Sequence, residues 1–213
     1  MDKTLKIPKA TIKRLSLYYR QLELLEFDGY RMVSSEKMAW LCQVNPAQVR
    51  KDLGYFGEFG VRGVGYDVRE LMHEIKKILA VNRTWNLGIV GLGHLGTALF
   101  HHQNFPARGF QFVAAFDSDP EKIGHHIGPD LVIQDSRDIP EVSRKRGIQI
   151  GVIATPAAEA QTVAEDLARG DIHAILNFSR TQIQAPEDCM VEDIDLTIRL
   201  DILTYRLKQE LEA

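Results

Sequence analysis

The chain has 213 residues, enough for one large domain or two small ones and far more than a disulfide-stapled miniature scaffold. Hydrophobic residues make up 45% and charged residues 26% of it, with a formal net charge of −3, which excludes a disordered tail. The charge is unevenly spread: residues 1–80 carry 14 Lys+Arg against 10 Asp+Glu, and residues 81–213 carry 12 against 19, so a polyanionic partner is expected at the N-terminal part.

Pro8 can open a first helix on which Ile12, Leu15, Tyr19, Leu22 and Leu25 recur at three- or four-residue steps until Gly29. Ser34 or Ser35 caps a short second helix, EKMAWLCQ, and Asn45-Pro46 reads as the cap and first residue of a third. Val49, Leu53 and Phe56 share one face of that helix, which leaves Gln48, Lys51 and Tyr55 on the other with Arg50 on the flank. Next, FGEFGVRGVGY suits a tight hairpin with Arg62 near its tip, and Asp67 caps a fourth helix carrying Leu71, Ile75 and Ile78 inward. Three helices, a glycine-rich hairpin and a closing helix match a winged helix-turn-helix over residues 1–80, although three-helix packing without DNA stays open. VNRTWN is the expected joint.

From Leu87 the pattern becomes strand and helix in alternation: LGIVG, a helix after Gly93, FQFVAAF, IQIGVIA, a helix through AAEAQTVAEDLA, and DIHAILNF. Such alternation predicts an α/β Rossmann-like doubly wound parallel sheet over residues 81–196. The last segment, IDLTIRLDILTYRLKQELEA, opens in strict alternation that fits a strand through about Leu196. Thereafter Leu196, Leu200, Leu203, Leu207 and Leu211 form one helical stripe, with Ile198, Ile202 and Tyr205 on the opposite side. Two apolar faces need two partners, so residues 197–213 are expected to form a dimerisation helix reaching across a homodimer interface.

The motif Gly91-Leu92-Gly93-His94-Leu95-Gly96 follows an apolar strand and opens a helix, the setting in which such a turn cradles a dinucleotide pyrophosphate. A purely structural glycine turn is the alternative. Asp117 lies 21 residues after Gly96, at the end of the second strand, where an acidic residue accepts from ribose hydroxyls and repels a 2′-phosphate; this favours NAD(H), unless Asp117 is a plain turn residue. Thr155, Pro156 and Asn177 sit at later strand ends, where ligands of such sheets bind. His94, His101 and His102 are poor candidates for a catalytic base, so no catalytic residue is assigned. Cys42 and Cys189 belong to no C-x-x-C pair, the histidine pairs have no ligand spacing, and no metal site is expected. No apolar run approaches the roughly 18 residues needed to cross a bilayer, so a cytoplasmic protein without a membrane partner is expected.

Candidate DNA contacts are Lys3, Lys6, Lys9, Lys13 and Arg14 near the N-terminus, Gln48, Arg50 and Lys51 on the third helix, and Arg62 on the wing. The blocks IPKATIKRLSLYYR, SSEKMAWLCQVNPAQVRKDLGYFGEFGVRGVGYDV, IVGLGHLGTAL and ILNFS together resemble the Rex family of redox-sensing transcriptional repressors over nearly the whole chain. The resemblance implies a homodimer whose winged helices bind a palindromic operator in double-stranded DNA, with Ser35 and Tyr55 joining the contacts, and whose Rossmann domains sense the NADH/NAD+ ratio. NADH then releases DNA. It also implies that the C-terminal helix is exchanged between subunits, and that Arg20 and Asp195 couple cofactor to DNA-domain orientation. His102 stands where the third coupling residue is often a tyrosine, from which a pH-dependent response is expected. The rival readings are an NAD-dependent oxidoreductase with an accessory domain and a module for another nucleotide, such as coenzyme A or S-adenosylmethionine.

Overall fold

In the computed structural model, which describes residues 7–61 and 63–212, the chain divides between Arg83 and Thr84 into two units with separate cores. The first contains α1 (Lys9–Phe27), β1 (Met32–Val33), α2 (Ser35–Cys42), α3 (Pro46–Gly54), β2 (Gly60–Val61), β3 (Gly65–Asp67) and α4 (Val68–Ile78). Each later helix starts on a capping side chain. Ser34 accepts from the Lys37 amide at 3.1 Å, Asn45 from Gln48 at 2.7 Å and Asp67 from Glu70 at 2.9 Å, so three orphan amides find partners.

The expected wing is the antiparallel pair β2–β3, with Gly60 opposite Tyr66. It gains a third strand, β1, through pairing of Met32 with Asp67 and Val33 with Tyr66. Two residues carry no readable period, which is why β1 is invisible in the sequence. On α1 the core face is rotated from the expected stripe: Thr11 and Tyr18 are buried with Leu15, Tyr19, Leu22 and Leu25, while Ile12 is 37% exposed. Helix α4 closes with Ala80 in the left-handed region (φ 53°), where Ala80 and Val81 donate to the Lys77 and Lys76 carbonyls. Val81 therefore still belongs to the helix end. Trp85 and Asn86 already belong to a strand, so the joint expected over 81–86 contracts to 82–84.

The second unit runs β4 (Trp85–Val90), α5 (His94–Phe100), α6 (Asn104–Ala107), β5 (Phe110–Asp117), β6 (Ile133–Asp135), α7 (Ile139–Arg146), β7 (Ile150–Ile153), α8 (Ala157–Arg169), β8 (Ala174–Asn177), β9 (Met190–Asp193) and α9 (Leu196–Leu211). All strand pairs are parallel, in the order β6-β5-β4-β7-β8-β9. That is the 3-2-1-4-5-6 order of a dinucleotide-binding sheet, whose connections diverge between β4 and β7. One apolar cluster, centred on Phe116, Ile153 and Leu167, and another, centred on Ile89, Ala115 and Val152, form its two cores.

Two strands were not anticipated. β6 is short, and β9 ends at Asp193, so the alternating IDLT segment is not a strand: Asp195 instead accepts from the Thr197 amide at 2.8 Å and caps α9. Helix α9 begins at Leu196, and all its residues, including both apolar stripes, are exposed within the chain.

In the first unit, Asp52 has no exposed surface and lies in the core-facing stripe of α3. Its Oδ1 accepts from Thr11 (3.0 Å), Arg14 Nη2 (2.7 Å) and Gln48 (2.9 Å), and its Oδ2 from Arg14 Nε (2.5 Å) and the Tyr18 hydroxyl (2.8 Å). Burial alone would raise this pKa. The hydrogen bonds outweigh burial and hold the carboxyl below its usual range. Its stabilisation is thus complete above the ordinary aspartate pKa and disappears as pH falls through the lowered folded value. Asp52→Asn should destabilise the first unit by about 3 kcal/mol near neutrality, because Arg14 loses its counter-charge. Chemical denaturation across pH should also show the mutant losing less stability than the parent below about pH 4.

Candidate functional site

At the carboxyl ends of β5, β4, β7 and β8 lies a cleft of about 850 Å³. The glycine turn forms its floor, and each glycine has its own reason. Gly91 has φ +90°, and a Cβ there would stand 2.8 Å from Thr155 Cγ2 and 2.9 Å from the Ala154 backbone. Gly96 is tighter still, since its Cβ would overlap the Gly91 carbonyl oxygen at 1.9 Å. Gly93, the N-cap of α5, has nothing within 4 Å, so its bare backbone faces the open cleft. Seven-residue α5 thereby presents its first amides to whatever anion the turn holds.

Asp117 ends β5 with 6% exposure. Its carboxylate accepts from the Leu92 amide (2.8 Å), the Asp119 amide (2.9 Å) and the Lys122 ammonium (3.0 Å). Burial pushes its pKa up, but these donors prevail and keep it below the usual range, so it is a carboxylate at neutral pH. A carboxylate offers about four acceptor positions, and three are filled, which leaves one for a ribose hydroxyl. Beside the glycine turn, the buried Thr155 Oγ1 has no hydrogen-bond partner among the described residues. An orphaned hydroxyl beside an open cleft suits a ligand amide or hydroxyl.

Of the cofactor positions expected from the sequence, Gly91, Gly93, His94, Leu95, Asp117, Thr155 and Pro156 line this cleft. Three do not. Leu92 turns its side chain into the core, Gly96 packs on Gly91, and Asn177 is buried in a knot of its own. The Asn177 amide donates to the Thr181 carbonyl (2.8 Å) and Asp193 (2.7 Å), while its oxygen accepts from the Ser179 amide (3.0 Å) and hydroxyl (2.6 Å). Asn177 therefore shapes the loop, and it is Phe178, Ser179 and Arg180 that reach the cleft. Lys122 and Glu159 also line it and were missed, since each is an unremarkable helix or loop charge until the sheet brings strand ends together.

The expected DNA contacts separate in the same way. Lys13 and Lys51 are exposed on α1 and α3, and Tyr55, half-buried, caps α3. Arg14 and Gln48 are instead spent on Asp52, which turns them from groove contacts into supports for the reading helix. The signal was present: Asp52 interrupts the Val49–Leu53 stripe, and a carboxylate facing a core must be paired. Arg50 donates to the buried Ser35 hydroxyl at 2.8 Å and lies 3.5 Å from Glu36. Lys3, Lys6 and Arg62 lie outside the described residues.

Among the coupling candidates, Arg20 is exposed on α1 and Asp195 is the cap of α9. His102 is not on the helix after the glycine turn, because α5 stops at Phe100; its Nδ1 accepts from the Asn104 amide at 3.3 Å. Burial raises both thiols, Cys42 to about 11, so neither is poised as a thiolate. No metal-binding cluster and no helix long and apolar enough to cross a membrane occur among the described residues.

Residues 6–54 match the family described as putative DNA-binding protein N-terminus, and residues 82–181 match the CoA binding domain family. The chain is 54% identical over 202 residues to the redox-sensing transcriptional repressor Rex of Syntrophobacter fumaroxidans, covering 95% of this chain and 96% of that one. It is 47% identical over 208 residues to the protein of the same name from Carboxydothermus hydrogenoformans, covering 98% and 100%. Among solved structures, RSP in complex with β-NAD+ and operator DNA matches with a TM-score of 0.90 and 34% identity over 96% of this chain and 94% of that chain. RSP in complex with β-NADH matches at 0.88 and 32% over 96% of each.

The two glycines with opposite surroundings make a direct test of the turn. Gly96→Ala should lower the stability of the second unit by about 3 kcal/mol or more, because the clash is with backbone. Gly93→Ala should melt within a few degrees of the parent, having open space around it and an ordinary φ. Thermal unfolding followed by circular dichroism distinguishes them.

Proposed function

The chain belongs to the Rex family of redox-sensing transcriptional repressors, and on that premise we propose a homodimeric, cytoplasmic repressor that reads the NADH/NAD+ ratio and leaves a palindromic operator when NADH binds. The observation that carries this reading is the joining, in one chain, of a winged helix with outward Lys13 and Lys51 to a dinucleotide cleft at the β4/β7 divergence of a parallel sheet. RSP, a Rex-family repressor, has been seen with operator DNA and NAD+ and, separately, with NADH, which supports the same pair of states here.

The dinucleotide acts as an effector and is not consumed. NADH binds the DNA-incompetent arrangement of the dimer more tightly than the competent one, and by reciprocity operator DNA weakens NADH binding by the same factor. Two winged helices engage a palindrome only when their separation matches a helical repeat of about 34–36 Å or a multiple of it. A change in arrangement transmitted through the short 82–84 link then removes one half-site contact and with it most of the avidity. Lys51, with Lys13, meets phosphates or base edges, and Asp52 keeps Lys51 facing outward by fixing α3 on α1. In the cofactor cleft the turn holds the pyrophosphate, Asp117 takes a ribose hydroxyl, and its negative charge disfavours a 2′-phosphate.

Helix α9 supplies the dimer. Its two apolar stripes are exposed within one chain, and a partner subunit is the occupant that buries both.

Fluorescence anisotropy with an operator-sized palindrome tests the coupling. NADH should raise the apparent Kd for DNA at least tenfold, NAD+ should leave it low, and NADPH should have little effect. Equal retention of DNA with every nicotinamide species would refute the repressor reading. A chain ending at Asp195 should sediment as a monomer and bind the palindrome about a hundredfold more weakly, as expected when two linked contacts become one.

A further inference from the structure

The two forms of the effector differ in charge at one place. Reduction adds a hydride, two electrons and one proton, to C4 of the nicotinamide, and the ring changes from a pyridinium cation to a neutral dihydropyridine. A site that tells them apart by electrostatics needs a charge at the ring. Asp117 marks the adenosine end of the cleft, on β5, and the α5 N-terminus marks the pyrophosphate. Three strand spacings separate the ends of β5 and β8, about 14 Å. The nicotinamide riboside therefore falls beyond the turn, where the wall runs from Thr155 and Pro156 after β7 to Phe178 after β8.

We propose that the Arg180 guanidinium, at the β8 end of the cleft, sets the preference for the reduced over the oxidised dinucleotide by repelling the pyridinium charge. The inference rests on the effector reading above and deepens it. Arg180 lines the cleft and also a smaller cavity of about 220 Å³ beside Asp195 and Ile198, so it stands in the wall between the ring and the start of α9. Its backbone is left-handed (φ 57°), an uncommon conformation for an arginine. No described hydrogen bond or ion pair commits its guanidinium, in contrast to Arg14, Arg50 and Arg137.

The other charges facing the cleft do not duplicate it. Lys122 pairs with both Asp117 and Asp119, which leaves one net negative charge at the adenosine end, farther from the ring than the Debye length of about 8 Å and so largely screened. His94 opens α5 beside the pyrophosphate. Glu159, in the first turn of α8, is the one acid on the same side of the cleft among the described residues, and it opposes Arg180. Asp195 feels the Arg180 charge, but its nearest donors are the amide and hydroxyl of Thr197, at 2.8 and 2.7 Å.

The test is titration of the full-length chain with NADH and with NAD+ near 0.15 M and 1 M salt, comparing the parent with Arg180→Gln, Arg180→Lys and Glu159→Gln. Gln and Lys meet the same left-handed backbone as Arg, so any loss of fold is shared and the charge is isolated. Arg180→Gln should tighten NAD+ about fivefold, as for one like charge in a half-open cleft, and leave NADH within about twofold. Arg180→Lys should keep the parental ratio, and Glu159→Gln should widen it. The parental ratio should shrink at about 1 M salt, where screening is strong. An unchanged ratio in Arg180→Gln, or equal weakening of both dinucleotides, overturns the assignment and makes Arg180 irrelevant or a pyrophosphate clamp. Failure of the parent to bind either dinucleotide would instead sink the effector reading itself.

Discussion

A carboxylate without exposed surface decides how the reading helix is held. Asp52 gathers five hydrogen bonds from Thr11, Arg14, Tyr18 and Gln48, joining α3 to α1 inside a small core. A buried charge of this kind is costly unless every acceptor position is used, and here the donors come from two helices at once. The consequence is orientational. With Val49, Asp52 and Leu53 locked inward, Lys51 can only face outward. Arg14, which by composition belongs to a basic N-terminal cluster, serves this internal bond instead.

The second unit depends on backbone proximity rather than charge. Helix α5 approaches the end of β4 so closely that a single methyl on Gly96 would collide with the Gly91 carbonyl. That approach places the α5 amides over the divergence of the sheet, beside the one acceptor position that Asp117 has not yet filled. Separate chemistries thus share one cleft: free amides, a carboxylate, and a wall ending in Thr155, Phe178 and Arg180.

These two units answer to different partners, one polyanionic and one a small dinucleotide, and α9 adds a third. Its exposed stripes would be a liability in an isolated chain. The proposed dimer would bury both stripes against a partner subunit, and with them two readers would be held in one assembly.

Periodic and punctuated features were legible in the amino-acid order itself: α3 with its Asn45-Pro46 start, the glycine turn after β4, the parallel alternation from Leu87, and the double stripe of α9. Each is local, because capping, turn geometry and helical period act over a few residues. What tertiary structure alone decided was which polar groups meet. Arg14 meets Asp52 across 38 positions of chain, Asn177 is drawn away from the cleft by Asp193 across 16, and Arg180 arrives at it only because β8 lies beside β7. Strands β1 and β6 escaped notice for a related reason, since two or three residues have no period and are strands only by virtue of their neighbours. Local rules specify the elements; long-range pairing of charge and hydrogen bonds assigns the side chains their roles, and no spacing along a chain encodes that.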